Sequence, residues 1–351
     1  MPTTARIHLQ LSRLEHGEDP YAARLGAQVV RRAFEDGRVA DAAITWDDAL
    51  LNDLAACQRP RPDAEAQGRV GQRLRAMWME LGFAEDEAVI RRGEPVELVL
   101  AFAAAELYAL PWELVRIEPS GLTLADLQNV SLVWRWPGVS PAPRSPGLRP
   151  RLLFAWSAAG GRVPVEEQRA LWSAGYGGAI VELANAGLGA LSEALLSARA
   201  QAPFTHVVIL AHGGAQAGVQ GLRLEDGFAD GAALQRALGA HAPSLDAVVL
   251  LSCDAAADPT PGGVLMSPAM ALHRGGEFGG IRAVIGPRTP LSVLGARALS
   301  AALLPRLISA GPARALREAR AALRDQGYQR DAAALCLLAP PEPERSEGPL
   351  A

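Results

Sequence analysis

Between residues 151 and 339 short apolar runs alternate with stretches of helical spacing. RLLFAWS (151–157), GAIVELAN (178–185), FTHVVIL (204–210), LDAVVLL (245–251), IRAVIG (281–286) and AALCLLA (333–339) are aliphatic runs bounded by polar or turn-forming residues. Runs of that length and composition predict strands. VEEQRALWSAG (165–175), LGALSEALLSARAQ (188–201), 231–240 behind an Asp230 cap, 267–274 and 292–325 predict the intervening helices. A small strand pair with an Asp226-Gly227 turn is expected in VQGLRLEDG (219–227). Strands that alternate with helices specify an α/β fold built on a mostly parallel sheet flanked by helices.

The first 136 residues are less regular. ARIHLQL (5–11) alternates like a strand, and the acidic turn HGEDP (16–20) is expected to lead into a helix through YAARLGAQVVRRAF (21–34). Helices are expected over 46–58 and 67–82, the second placing Val70, Leu74, Met77, Trp78 and Leu81 on one face. A strand opens PVELVLAFAAAELYALPWELVRI (95–117), followed by a turn ending in Pro111, Trp112 and Glu113, and SLVWRWPG (131–138) is a further strand stopped by proline. Trp112 reads as a core anchor and Glu113 as its capping or pairing neighbour. Residues 137–150 hold five prolines and two glycines and form the expected linker. The expected organisation is therefore an N-terminal non-catalytic α/β region (1–136), this linker (137–150), a second α/β domain (151–339), and a polar, disordered tail (340–351).

Two of the strands stop at residues capable of chemistry, one just before His212 and the other just before Cys253. In open α/β sheets ligands and catalytic groups gather beyond the carboxyl ends of the strands, so these two side chains are candidates to face each other across one crevice. A free thiol is a weak nucleophile at neutral pH; an adjacent imidazole raises its thiolate fraction and can later protonate a leaving amine. Backbone amides at Gly213 and Cys253 are the economical donors for an oxyanion. The competing reading of each residue is structural, a core cysteine and a strand-end histidine cap.

Composition removes several other functions. All 34 basic side chains are arginine and none is lysine, which excludes a P-loop lysine and a lysine Schiff base. The formal charge of −4 speaks against a nucleic-acid partner. Cys57, Cys253 and Cys336 are far apart with no CxxC pair, and the histidines form no ligand spacing, so neither a disulfide framework, a metal nor another cofactor is expected. Cys57 and Cys336 read as packed thiols. No apolar stretch of about twenty residues and no signal-like N-terminus is seen, so a cytoplasmic protein without membrane partners is expected.

AHGG (211–214) and LLSCDAA (250–256) resemble the histidine and cysteine motifs of CHAT domains, caspase-like cysteine peptidases related to caspases and separases. LYALPWELV (107–115) is similar to the upstream PWE element of that family, and the order of elements from 151 to 339 is similar throughout. The resemblance implies a caspase-like sheet with His212 as base, Cys253 as nucleophile and the Gly213 amide in the oxyanion hole. It also implies that residues 1–136 form a pseudo-protease-like layer extending the sheet, as in separases. The separation of 253 − 212 = 41 residues is shorter than the caspase spacing of about 50. In the caspase-like arrangement the loop GPRTPLS (286–292) borders the specificity pocket, making Arg288 a candidate partner for a substrate carboxylate. The alternative for Arg288 is an exposed side chain on a solvated loop.

No internal repeat of 20–50 residues marks a built-in sensor, so activation is expected from a separate protein, from assembly or from a ligand. Bacterial relatives suggest a protein substrate such as a gasdermin-like pore former in a defence system. Three functions are weighed: a cysteine endopeptidase, a catalytically silent scaffold of the same fold that binds a partner peptide, and a nucleotide-binding protein using GGAQAGVQG (213–221). The third fares worst, because a strand pair rather than a helix is expected to follow the glycines.

Overall fold

Alternation in ARIHLQLSR turns Ile7, Leu9 and Leu11 to one buried face and makes β1 (Ala5–Arg13). These and the following elements come from a computed structural model that describes residues 4–14, 20, 22–57, 63–253, 255–256, 267–277 and 279–339. The helix expected over 21–34 is not formed. The second half of that stretch is β2 (Ala27–Ala33), which pairs antiparallel with β1 and with β3 (Val39–Thr45). Its side chains alternate in burial, Gln28, Val30 and Arg32 inward, and Gly37 at φ +84° makes the turn. Most of the acidic turn HGEDP lies outside the described residues.

The helices α1 (Asp48–Cys57) and α2 (Ala64–Glu80) follow, with Asp63 capping the second through the amides of Glu65 and Ala66. The five residues expected on one face of α2 are all buried. A short helix that the sequence did not announce, α3 (Ala84–Ile90), leads to β4 (Val96–Phe102). Two 3₁₀ turns then carry Trp112 and Glu113 into the small hairpin β5 (Arg116–Ile117) and β6 (Leu122–Thr123), after which β7 (Val130–Arg135) returns to the sheet. Trp112 is fully buried, stacks on Trp78 at 5.2 Å, and donates from Nε1 to the carbonyl of Leu107 at 2.7 Å. It is the anchor its surroundings require, large and with its one polar atom satisfied.

Residues 137–150 run along the protein. Val139 and Ala142 are buried, the Ala142 amide donates to Gly280 O and the Gly280 amide to Ser140 O, both at 3.0 Å. The second half then follows the expected order: β8 (Arg151–Trp156), α4 (Val165–Gly175), β9 (Ala179–Leu183), α5 (Leu188–Ala198) and β10 (His206–Leu210). A three-stranded antiparallel sheet interrupts here, formed by β11 (His212–Gln216), β12 (Val219–Leu224) and β13 (Gly227–Asp230). Next come α6 (Gly231–Gly239), capped by Asp230 on the Ala233 amide at 2.7 Å, then β14 (Ala247–Leu251), α7 (Pro268–Arg274) and β15 (Val284–Pro287). The amphipathic region from 292 to 325 divides into α8 (Val293–Leu307) and α9 (Pro312–Asp325), broken at Gly311 with φ +77°. The chain ends its described part with α10 (Gln329–Ala334) and β16 (Leu335–Leu338), where Cys336 is buried. The tail from 340 lies outside the described residues.

All the larger strands join one sheet in the order β3-β2-β1-β4-β7-β16-β15-β14-β10-β8-β9. Pairing is antiparallel across β3-β2-β1 and between β16 and β15 and parallel elsewhere, which gives the mostly parallel α/β sheet read from the sequence. Both faces are covered. Val207, Ile209, Val248 and Leu250 enter one apolar core, while Val208, Leu210, Val249 and Leu251 enter the other beneath α4, α8 and α9. Continuous apolar runs in β10 and β14 reflect this two-sided burial.

Candidate active site

β10 and β14 are adjacent and parallel, paired from His206↔Ala247 to Leu210↔Leu251. Two residues beyond Leu210 is His212, and two residues beyond Leu251 is Cys253. Equal offsets past the last paired residues put both at the same level of neighbouring strand ends, which lie about 5 Å apart in a sheet. An independent contact brings Gly213, the residue after His212, against Cys253. A Cβ built on Gly213 would fall 1.8 Å from the carbonyl oxygen of Cys253 and 3.2 Å from its nitrogen, so the two backbones touch where Gly213 stands. Only glycine permits that approach.

His212 leaves the main sheet at this point and opens β11, opposite Arg223 of β12. The sequence did not show β11, because HGGAQ has no β-branched residue; its partner strand supplies the pairing. The histidine is half-buried, and its Nε2 is fully buried with no hydrogen-bond partner among the described residues. That nitrogen is turned toward the loop after β8: a Cβ on Gly161 would lie 3.1 Å from Nε2, and one on Gly160 would lie 2.7 Å from Cδ of Arg223. Gly160 and Gly161 have positive φ, +92° and +142° in that order, so the turn needs them for its backbone as well as for space.

The turn is held from the other side by Glu225. Its carboxylate accepts from Ser157 Oγ at 3.2 Å and from the Ala158 amide at 3.1 Å, and Ser157 Oγ accepts from the Ala159 amide at 3.1 Å. Ser157 in turn extends the β8–β10 ladder through its amide to Leu210 O at 3.0 Å. Glu225 and the Gly160-Gly161 turn were not singled out from the sequence; the carboxylate lies 67 positions from the amide it holds, and no local signal joins them.

Cys253 is partly exposed. Cys57 is partly exposed as well, and Cys336 is buried. Cys57 lies at the end of α1, where burial first of all, helped by Asp53, pushes its thiol up to about 11. Cys336 is 3% exposed in the middle of β16.

Arg288 follows β15 and is buried, not exposed on a solvated loop, and its guanidinium already has a carboxylate partner. It is 8% exposed, its Nη1 pairs with Glu113 Oε2 at 3.0 Å, and its Nη2 donates to Tyr108 O at 2.7 Å. The guanidinium also lies over the Trp134 ring, 4.4 Å from its centroid. Glu113 of the PWE element is thus the pairing neighbour of Arg288, and the pair ties the segment after β4 to the end of β15. Arg288, Glu113 and Thr289 border a cavity of about 340 Å³ that neither His212 nor Cys253 lines.

Among the described residues no group of three or more His, Cys, Asp or Glu side chains is arranged to hold a metal, and no helix is long and apolar enough to cross a membrane. No family model matches the chain, and no curated protein matches it. Among solved structures it is similar to the Arg-specific cysteine proteinase gingipain R (RgpB), with a TM-score of 0.46 and 11% identity, covering 84% of this chain and 74% of that one. It is similar to the complex of Porphyromonas gingivalis RgpB pro- and mature domains, with a TM-score of 0.46 and 12% identity over 84% of this chain and 75% of that one. It is also similar to the Saccharomyces cerevisiae separase–securin complex, with a TM-score of 0.43 and 12% identity over 70% of this chain but only 15% of that chain. The chemistry of the site rests on its own geometry rather than on these likenesses.

Proposed function

We propose that the chain is a caspase-like cysteine endopeptidase working through a Cys253–His212 dyad. The observation that carries the reading is the equal offset of His212 and Cys253 past the paired ends of β10 and β14, with Gly213 pressed against the Cys253 carbonyl. Nε2 of His212 is buried beside the Gly160-Gly161 turn, so Nδ1 is the nitrogen left for the thiol. In the proposed reaction the imidazole takes the thiol proton and the thiolate attacks the substrate carbonyl carbon. The amides of Gly213 and Cys253 donate to the resulting oxyanion. The imidazolium then protonates the leaving amine, and water, deprotonated by the same imidazole, releases the acid and restores the thiol.

The substrate in this reading is a specific protein, a gasdermin-like pore former in a bacterial defence system being the example that the CHAT resemblance suggests. A separate activator is part of the same reading. Residues 1–136 would then be the non-catalytic layer, and 151–339 the peptidase. The test is incubation of the purified chain with a protein and peptide library, with and without a thiol alkylator. Cleavage that the alkylator abolishes, and that Cys253→Ala and His212→Ala each lack while remaining folded, supports the dyad. Cleavage retained by Cys253→Ala refutes it, and peptide binding without cleavage identifies a silent scaffold instead.

A further inference from the structure

A second cavity lies away from His212 and Cys253. It has a volume of about 560 Å³ and opens where β8, β10, β14 and β15 begin, bordered by Pro150, His206, Asp246 and Arg282. His206 and His212 bracket β10, and six residues of extended chain separate the two sites by about 20 Å. Its volume falls within the range of small-molecule sites, roughly 300–1,000 Å³.

Its walls have two characters. One side is apolar, formed by Val99, Val133 and Leu337 of the sheet, by Ala283 just before β15, and by Leu307 and Ile308 at the end of α8. The other side carries three arginines in different states. Arg6 is paired with Glu97 at 2.9 Å and Arg144 with Asp246 at 3.0 Å. Arg282 forms no ion pair with a carboxylate among the described residues; the nearby Asp246, whose charge it feels, is already paired with Arg144. Nη1 of Arg282 donates to Leu245 O at 3.4 Å and its Nη2 to Ala142 O at 2.6 Å, bonds that fix the guanidinium without neutralising it. A guanidinium has five N–H donors in a planar fork, and those two bonds leave donors unused. Both carboxylates at the rim are already held by the other arginines, so the balance of formal charge on the lining is one positive.

One further feature favours an anion here, and another makes the wall rigid. The cavity is lined by Gly311, Pro312 and Ala313, the start of the fourteen-residue helix α9, which has no side-chain cap. His206, 5% exposed, binds Thr205 Oγ1 at 2.8 Å and Tyr176 OH at 3.0 Å through the same Nδ1, an arrangement that locks the ring at the cavity wall. A fixed, unneutralised guanidinium beside an apolar wall suits a ligand with one anionic group on an apolar body.

We infer that this cavity binds a small amphipathic anion, a carboxylate or phosphate on an apolar body, with Arg282 as its anchor. This site is independent of the peptidase reading and is tested without an activity assay. The full chain is titrated with octanoate, octyl phosphate, octanamide and inorganic phosphate, followed by calorimetry and thermal unfolding. Octanoate or octyl phosphate is expected to bind saturably and raise Tm, and which of the two binds more tightly distinguishes the headgroups. Octanamide and inorganic phosphate, each lacking one half of the recognition, are expected to bind at least tenfold more weakly. Arg282→Gln should weaken the anion at least tenfold. Because Arg282 also holds two carbonyls, Ser309→Trp at the exposed rim provides a second variant that fills the mouth and leaves those bonds in place; it should abolish binding. Equal binding of octanoate and octanamide, no binding of either octyl anion, or undiminished binding in Ser309→Trp overturns the inference.

Discussion

Gly213→Ala is the smallest perturbation that reaches the candidate site without removing a chemical group. The new methyl would begin 1.8 Å from the Cys253 carbonyl oxygen and 2.9 Å from its carbonyl carbon. A carbon–oxygen contact normally stays beyond about 3.3 Å, so roughly 1.5 Å must be recovered. Both partners are backbone, so no side chain can swing away, and the displacement must move Cys253, Gly213 or both. Overpacking of this kind costs about 1–3 kcal/mol. A misplacement of about 1 Å at reacting groups costs about a hundredfold in rate. The expected outcome is a folded protein with a lower urea midpoint and peptidase kcat/KM reduced by about a hundredfold or more. Gly214→Ala is the matched control, because a Cβ there meets nothing within 4 Å; it should behave as wild type. A Gly213→Ala variant with wild-type stability and activity would refute the contact between the two strand ends.

Arg288→Glu should destabilise the fold by about 3–5 kcal/mol, since it places a second carboxylate beside Glu113 in a pair whose side chains are 6% and 15% exposed; an unchanged urea midpoint would contradict this. Glu225→Gln should lower kcat more than it raises KM, because the Ser157–Gly161 turn that flanks His212 loses its charged acceptor; rescue of the rate by Glu225→Asp, or its failure, is read from the same assay, and an unaltered kcat in Glu225→Gln removes the positioning role. Burial holds His206 down to about 4 and His273 down to about 3, so between there and the ordinary value near 6.5 the unfolded chain takes up protons that the folded chain does not. The contribution of these two histidines is therefore level above about pH 6.5 and is lost as the pH drops, by roughly 2 kcal/mol for each at pH 5; equal unfolding free energies at pH 7.5 and pH 5 would contradict the burial of both rings.

Most strands and helices after residue 150 were legible because two-sided burial writes continuous apolar runs into strands such as β10 and β14. β2 was misread because its run of Val29, Val30, Arg31 and Arg32 fits a helical face as readily as a strand until its two partner strands are known. Cys253 and His212 stood out for the same reason the strands did, each following directly on an apolar run. Their neighbours did not. Glu225 acts on a turn some 67 positions earlier, and Arg288 finds its acceptors at Tyr108 and Glu113, 180 and 175 positions away. In sequence Arg288 stands on a proline-flanked polar loop; only the tertiary contact shows a guanidinium caged by a carboxylate, a carbonyl and an indole.

The central claim is that His212 activates the thiol of Cys253, and the rate of alkylation tests it most directly. The full chain is treated briefly with iodoacetamide at pH 7, and the labelling of each cysteine is followed by mass spectrometry in wild type and in His212→Ala. Cys253 should label first, ahead of Cys57, whose thiol is pushed up to about 11, and ahead of Cys336 in the core. Its rate should fall toward that of an ordinary thiol in His212→Ala. First labelling at Cys57 or Cys336, or a Cys253 rate indifferent to loss of the imidazole, would contradict the account.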